Sequence, residues 1–146
     1  MRPAYRLRQV VNLVNLSTPL GLLVAVLGGA SPGRGPHGLL LAGGYRLPVP
    51  PAPAFTVGNV VVVRRGLDLA DRPGLLAHEN RHATQYAWCV GPVMLPLYGL
   101  AAAWSWLRSG DFAAYNVFER LAGLEDGGYR AAVRTRRAAR EDRGHG

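Results

Sequence analysis

A chain of 146 residues is long enough for one domain with a modest core, and 49% hydrophobic against 18% charged residues excludes a disordered chain before residue 130. The net charge of +8 comes from 17 Arg and nine acidic residues; six arginines (Arg130, Arg134, Arg136, Arg137, Arg140 and Arg143) fall in the last 17 positions with no aromatic beyond Tyr129, which fits a solvated helix end better than a nucleic-acid surface. One cysteine, Cys89, excludes an internal disulfide and any zinc site built on several cysteines.

Residues 1–8 carry Arg2, Arg6 and Arg8, and Val10 to Ala30 hold no charged residue. As a signal anchor or signal peptide this stretch only just qualifies, because Asn12, Asn15 and Pro19 interrupt it and glycines thin it. The pattern predicts a helix over 5–16, a break at Ser17-Thr18-Pro19 and a second helix over 19–28. Ser17 or Thr18 is the expected N-cap, with Pro19 in the first helical position. SPGRGPH at 31–37 reads as a loop, and Gly38 to Tyr45 as a short strand. Leu47 to Pro53 holds too many prolines for a helix or a central strand. Ala54 to Arg64 reads as two strands turning at Gly58-Asn59, or as one bulged strand.

Asp71 is the expected N-cap of a helix from Pro73 to Cys89, ended by Gly91-Pro92. Trp88 to Leu107 is uncharged. It reads as two short helices broken at Pro92 and Pro96 over the back of the core, or as a segment in a membrane with Trp104, Trp106 and Arg108 at its interface. Helices are expected over Asp111 to Gly123 and over Tyr129 to Arg143. The expected fold is α+β: a mostly helical domain over 1–129 with a small antiparallel sheet of two or three strands, and a basic tail over 130–146.

The helix at 73–89 contains His78-Glu79-Asn80-Arg81-His82, a full H-E-x-x-H match. Residues four apart share a helix face, so two imidazoles can grip one ion with Glu79 beside them. A catalytic zinc takes a third protein ligand. His37 lies in a loop and His145 in the tail, so a carboxylate must supply it. Glu119, 37 residues after His82 in the helical run Asn116 to Ala122, is the best placed. Glu125 and Asp126 stand beside Gly127-Gly128, and Asp111 is better placed as a helix cap.

With HENRH at 78–82 and NVFER at 116–120, the chain resembles the zincin metallopeptidases, in the branch whose third ligand is a glutamate. Segments such as Ala54-Phe55-Thr56-Val57-Gly58-Asn59 are also similar to a small actinobacterial family with no assigned activity. The resemblance implies a zincin-like fold and a zinc ion on His78, His82 and Glu119. Glu79 would then take a proton from a zinc-activated water and pass it to the leaving amine. The larger glutamate zincins often carry an Asp four residues after the ligand Glu, to orient a ligand His; here that position is Gly123. Orientation must then come from Asn116, Asp126 or a backbone carbonyl. Tyr86, Tyr98, Tyr115, Tyr129 and Arg81 are the candidates for stabilising an oxyanion.

The expected function is a zinc-dependent hydrolase acting on a peptide or protein. The alternatives are a zinc-stabilised module without turnover and a membrane-associated binding module in which HENRH is coincidental. A membrane surface is the second expected partner, with a cytoplasmic or membrane-associated location; nucleic acid is not expected.

Overall fold

Four consecutive valines, Val60 to Val63, lie at the centre of the fold. β-branched side chains favour extended backbone, and in a strand they alternate between faces. In the computed structural model, which describes residues 2–129, all four are buried. Val61 and Val63 pack with Leu39, Leu69 and Leu75 on one face. Val60 and Val62 pack with Ala25, Ala42 and Tyr45 on the other.

The elements in chain order are α1 (Pro3–Val14), α2 (Ser17–Leu27), β1 (Ser31–Arg34), β2 (Leu40–Tyr45), β3 (Ala54–Val57), β4 (Val60–Arg64), α3 (Pro73–Trp88), α4 (Met94–Ser109) and α5 (Val117–Ala122). Short 3₁₀ turns at Pro36–Gly38 and Gly91–Val93 complete them. The strands form one sheet in the order β1-β2-β4-β3. Helix α2 covers one face of it and α3 the other.

The fold is mixed α+β, but the sheet differs from the expected one. It has four strands, and β2 pairs with β4 in parallel, from Leu40 opposite Val60 to Gly43 opposite Val63. The connection over 46–53 explains this. It carries the chain beyond the place next to β2, so β3 enters at the far edge and the hairpin returns β4 into the gap. Proline-rich backbone supplies carbonyls with few amides to meet them. Arg64 takes four: Nε donates to Ala52 at 2.8 Å, Nη1 to Leu47 at 2.6 Å, and Nη2 to Pro48 and Pro50. The extra strand is Ser31–Arg34, expected as loop; antiparallel pairing with β2 makes an exposed edge strand out of turn-forming residues.

Of the two readings of Ala54 to Arg64, the hairpin holds, with Gly58 at φ +63° in its turn. A side chain on Gly58 would meet the Ser17 backbone, so the turn seats directly on the start of α2. The break between α1 and α2 falls where expected, but the N-cap is Leu16 in a left-handed conformation. Ser17 is already helical, and its hydroxyl lies against the Asn12 carbonyl and Asn15 Oδ1. Likewise Arg72, not Asp71, occupies the N-cap of α3, without a side-chain cap. Pro96 does not break the apolar run: it falls in the first turn of α4, where its missing N–H has no partner to lose. Helix α5 begins only at Val117. Asp111 Oδ1 accepts from the Ala113 and Ala114 amides and caps a turn instead. The expected basic helix and tail over 130–146 lie outside the described residues.

Candidate metal centre

Helix α3 crosses beneath β3 and turns His78, Glu79 and His82 inward, all three buried. Helix α5 brings Glu119 against them, also buried. One ligand atom from each of His78, His82 and Glu119 lies within 4.8 Å of the others, so these residues form a buried group able to hold a metal ion.

The hydrogen bonds around the group leave its inner atoms bare. His78 Nδ1 lies 2.9 Å from the Gly123 carbonyl, which can only accept, so a neutral His78 carries its proton on Nδ1. His82 Nδ1 lies 2.8 Å from Gln85 Oε1. The Gln85 amide nitrogen donates to the Phe118 carbonyl at 2.9 Å, which fixes the oxygen towards His82. Both Nε2 atoms therefore present lone pairs, yet they stand 3.0 Å apart. Glu119 Oε2 lies 3.1 Å from one and 3.5 Å from the other, buried and without a hydrogen-bond donor. Three bare acceptors facing one point repel each other unless a cation joins them. Ligands tetrahedrally disposed about 2.0–2.1 Å from a zinc ion would stand roughly 3.3 Å apart. The observed triangle of 3.0, 3.1 and 3.5 Å matches that spacing.

Charge follows the same logic. Burial alone would raise the Glu119 carboxyl, but the Tyr98 hydroxyl and, whenever no ion is bound and their Nε2 atoms carry protons, the imidazoles of His78 and His82 outweigh it and hold it at about 2. Burial works against a charged His78, yet in the absence of an ion the nearby carboxyls of Glu119 and Glu79 lift its pKa above the ordinary histidine value, so a proton and a metal ion compete for Nε2. Glu79 goes the other way: burial raises it, against the opposing pull of His82 and Thr56. Thr56, on β3, donates to Glu79 Oε2 at 2.7 Å, and Glu79 lines the cleft beside the group.

Among the other sequence candidates, Tyr98 donates to Glu119 Oε1 and so holds the carboxylate in place. Tyr86 and Tyr129 line the adjacent cleft, and their hydroxyls have no hydrogen-bond partner among the described residues. Burial raises both phenols. Tyr115 lies elsewhere, half exposed beneath the Arg108 guanidinium. Asn116 does not reach the ligands; its Oδ1 caps α5 at the Phe118 amide, 3.0 Å away. Asp126 pairs with Arg81 at 2.7 Å near the surface, and Arg81 also donates to the Ala122 carbonyl. Arg81 thus ties the segment after α5 onto α3 instead of facing the cleft.

Of the three sources of orientation considered from sequence, the carbonyl is the one in contact with His78, and Gly123 itself supplies it. Gly123 has φ +92°, open to glycine but not to an aspartate. Gly127 packs so closely that a Cβ would stand 2.7 Å from His78 Cε1. Thr56 was not singled out in sequence. Gln85, three residues after His82, was not singled out as the partner of its ring either.

The cleft has a volume of about 290 Å³ and a largely apolar lining. Pro50, β3 and the start of α4 form its walls, with the His78, His82 and Glu119 group at its floor. β3 is an edge strand, paired with β4 on one side only.

Compared with known proteins, the chain matches no family model, no curated protein and no solved structure. What stands is the buried His-His-Glu group and the mixed α+β fold around it.

Proposed function

We propose that the chain is a zinc-dependent hydrolase of zincin type acting on amide bonds, most directly on peptides. The observation that carries this reading is the convergence of three bare lone pairs, on His78 Nε2, His82 Nε2 and Glu119 Oε2, beside a buried carboxyl that ligates nothing. Two imidazoles and one carboxylate favour zinc among the common divalent ions. When bound, zinc supplies the Lewis acidity that makes water a nucleophile at neutral pH and polarises a carbonyl.

The chain's own residues supply the rest. Glu79 Oε1 takes the proton of the attacking water while Thr56 holds Oε2. The water oxygen bonds to the scissile carbonyl carbon, the C–N bond breaks, and Glu79 returns the proton to the leaving nitrogen. A carboxyl raised by burial suits both halves of that exchange. Tyr86 and Tyr129 have hydroxyls free to donate to the developing oxyanion. The unpaired edge of β3 beside the cleft supports an extended peptide as substrate, because such an edge offers backbone groups for strand addition.

The cleft volume of about 290 Å³ lies at the lower limit of ligand pockets, and this favours a second reading in which the ion only stabilises the fold. Glu79 separates the two, since it contributes no ligand. Glu79→Gln should bind zinc as the wild type does and abolish hydrolysis of a mixed peptide library. A wild-type protein that binds zinc stoichiometrically and cleaves no peptide would leave the stabilising role.

A further inference from the structure

Helix α1 is built inside out. Its buried residues are Arg8 (4% exposed) and Asn12 (0%), while Leu7, Val10, Leu13 and Val14 (75%) face outward. The inward polar groups are paired except for Arg8 Nε: Arg8 donates to Asn80 Oδ1 at 2.7 Å and to the His37 carbonyl at 2.7 Å, and Asn12 donates to Asn59 Oδ1 and the Ala83 carbonyl, both at 2.8 Å. Helix α2 repeats the pattern, with Ser17, Thr18, Gly21 and Ala25 inside and Leu23, Val26 and Leu27 outside. In α4 only Met94 and Ser105 are buried, and Leu100 (70%), Trp104, Trp106 and Leu107 stand exposed. A protein in water places its large apolar side chains the other way round.

These surfaces meet. Gly91 packs against Asn15, where a Cβ would stand 2.6 Å from the Asn15 side chain, so the corner between α1 and α2 lies on the corner between α3 and α4. The residues at the two corners, Leu16 and Val90 (71% exposed), are both non-glycine residues with positive φ, +68° and +56°. The left-handed region is costly for such side chains, most of all for a β-branched one, and here it aims them outward beside Val14 and Trp88 (83%).

The exposed charge along these helices is mostly positive: Arg2 and Arg6 stand exposed at the start of α1 and Arg108 near the end of α4, with Asp111 just beyond that end. Arg108 lies over the Trp104 and Tyr115 rings, an arrangement of aromatic and guanidinium groups suited to a headgroup layer. No single described helix is long and apolar enough to cross a bilayer, and the pairs α1–α2 and α3–α4 bend by 75° and 113°.

We infer that the corner formed by Val14, Leu16, Trp88 and Val90, with the outer faces of α1 and α4, inserts into one leaflet of an anionic lipid bilayer. Large exposed apolar surface flanked mostly by cations, Arg2 and Arg6 on α1 and Arg108 on α4, fits a lipid interface with negative headgroups. The start of α4 also lines the cleft, so the inserted face continues to the mouth of the metal site. The inference does not depend on whether a metal binds there.

The test is co-sedimentation of the full chain with sucrose-loaded vesicles of phosphatidylcholine alone and of phosphatidylcholine mixed with phosphatidylglycerol. The variant combines Val14→Ser, Leu16→Asn, Trp88→Ser and Val90→Asn; asparagine tolerates positive φ, and all four positions are exposed, so the fold is kept. The wild type should partition onto the anionic vesicles, and the variant should lose roughly 10-fold or more of that partitioning. Circular dichroism checks the variant's fold. In wild type carrying only Trp104→Phe and Trp106→Phe, bromine-labelled lipid should quench Trp88. Wild-type protein that stays in the supernatant overturns the inference, including the case where it forms a dimer that the variant disrupts. Equal binding by wild type and variant overturns it too, because the arginine-rich end of the chain would then be the attachment. Equal binding to neutral vesicles overturns the anionic assignment.

Discussion

The two sides of α3 follow opposite rules. Towards the sheet, Leu75 and Ala83 join an apolar cluster with Val61 and Val63, and the titratable groups that α3 turns inward are His78, Glu79, His82 and Tyr86. Away from it, α3 meets α1 through Asn80, Thr84 and the buried Arg8 guanidinium, and the apolar residues of α1 lie outside. Both sides bury polar atoms. On the α1 side the Arg8 guanidinium makes four hydrogen bonds and leaves only Nε without a partner, whereas in the metal group Glu119 Oε2 has none and faces two imidazole Nε2 atoms. Satisfied buried polar groups hold elements together; several bare acceptors converging on one point call for a cation.

The contrast can be broken by substitutions on each side. The largest effect is expected at Glu79. Glu79→Gln should lower kcat roughly 10²–10⁴-fold without loss of zinc, read from peptide cleavage together with metal content. On the α1 side, Arg8→Ala strands acceptors on Asn80, Thr84 and His37, and should cost roughly 2–4 kcal/mol of stability in chemical denaturation. A value near zero would mean that the inward polar face of α1 is not what docks it. Gln85→Leu removes the group that orients His82, and zinc affinity should fall about 10–100-fold in competition with a chelator. The smallest effect is expected where residue type alone suggests a large one. Leu100→Ser deletes a large apolar side chain, but an exposed one, and should shift stability in aqueous buffer by no more than about 0.5 kcal/mol.

What the sequence revealed follows from how local each feature is. The pairing of His78 with His82 needs only the helical repeat, and Glu119 stands out because Asn116 to Ala122 reads as helix and no other histidine is placed to help. Gly123 stood out as a departure from the pattern it resembled. That its carbonyl would do the orienting depends on a left-handed backbone, which residue identity permits but does not dictate. Thr56 beside Glu79 and Tyr98 beside Glu119 are contacts between distant parts of the chain, with no periodicity to announce them. The sheet order was hidden for the same reason: Ser31 to Arg34 has the composition of a turn, and only β2 beside it makes it a strand. Asn12 and Asn15 read as interruptions of an apolar run. In the structure they belong to the inward side of α1, and hydropathy along a sequence does not say which side of a helix meets the protein.

The most direct test of the central claim is metal content by elemental analysis of purified wild type, Glu119→Ala and Glu79→Gln after reconstitution with zinc. The convergence of His78, His82 and Glu119 predicts one zinc per chain in the wild type and in Glu79→Gln, and none retained in Glu119→Ala. Stoichiometric zinc in Glu119→Ala, or no zinc in the folded wild type, would contradict it.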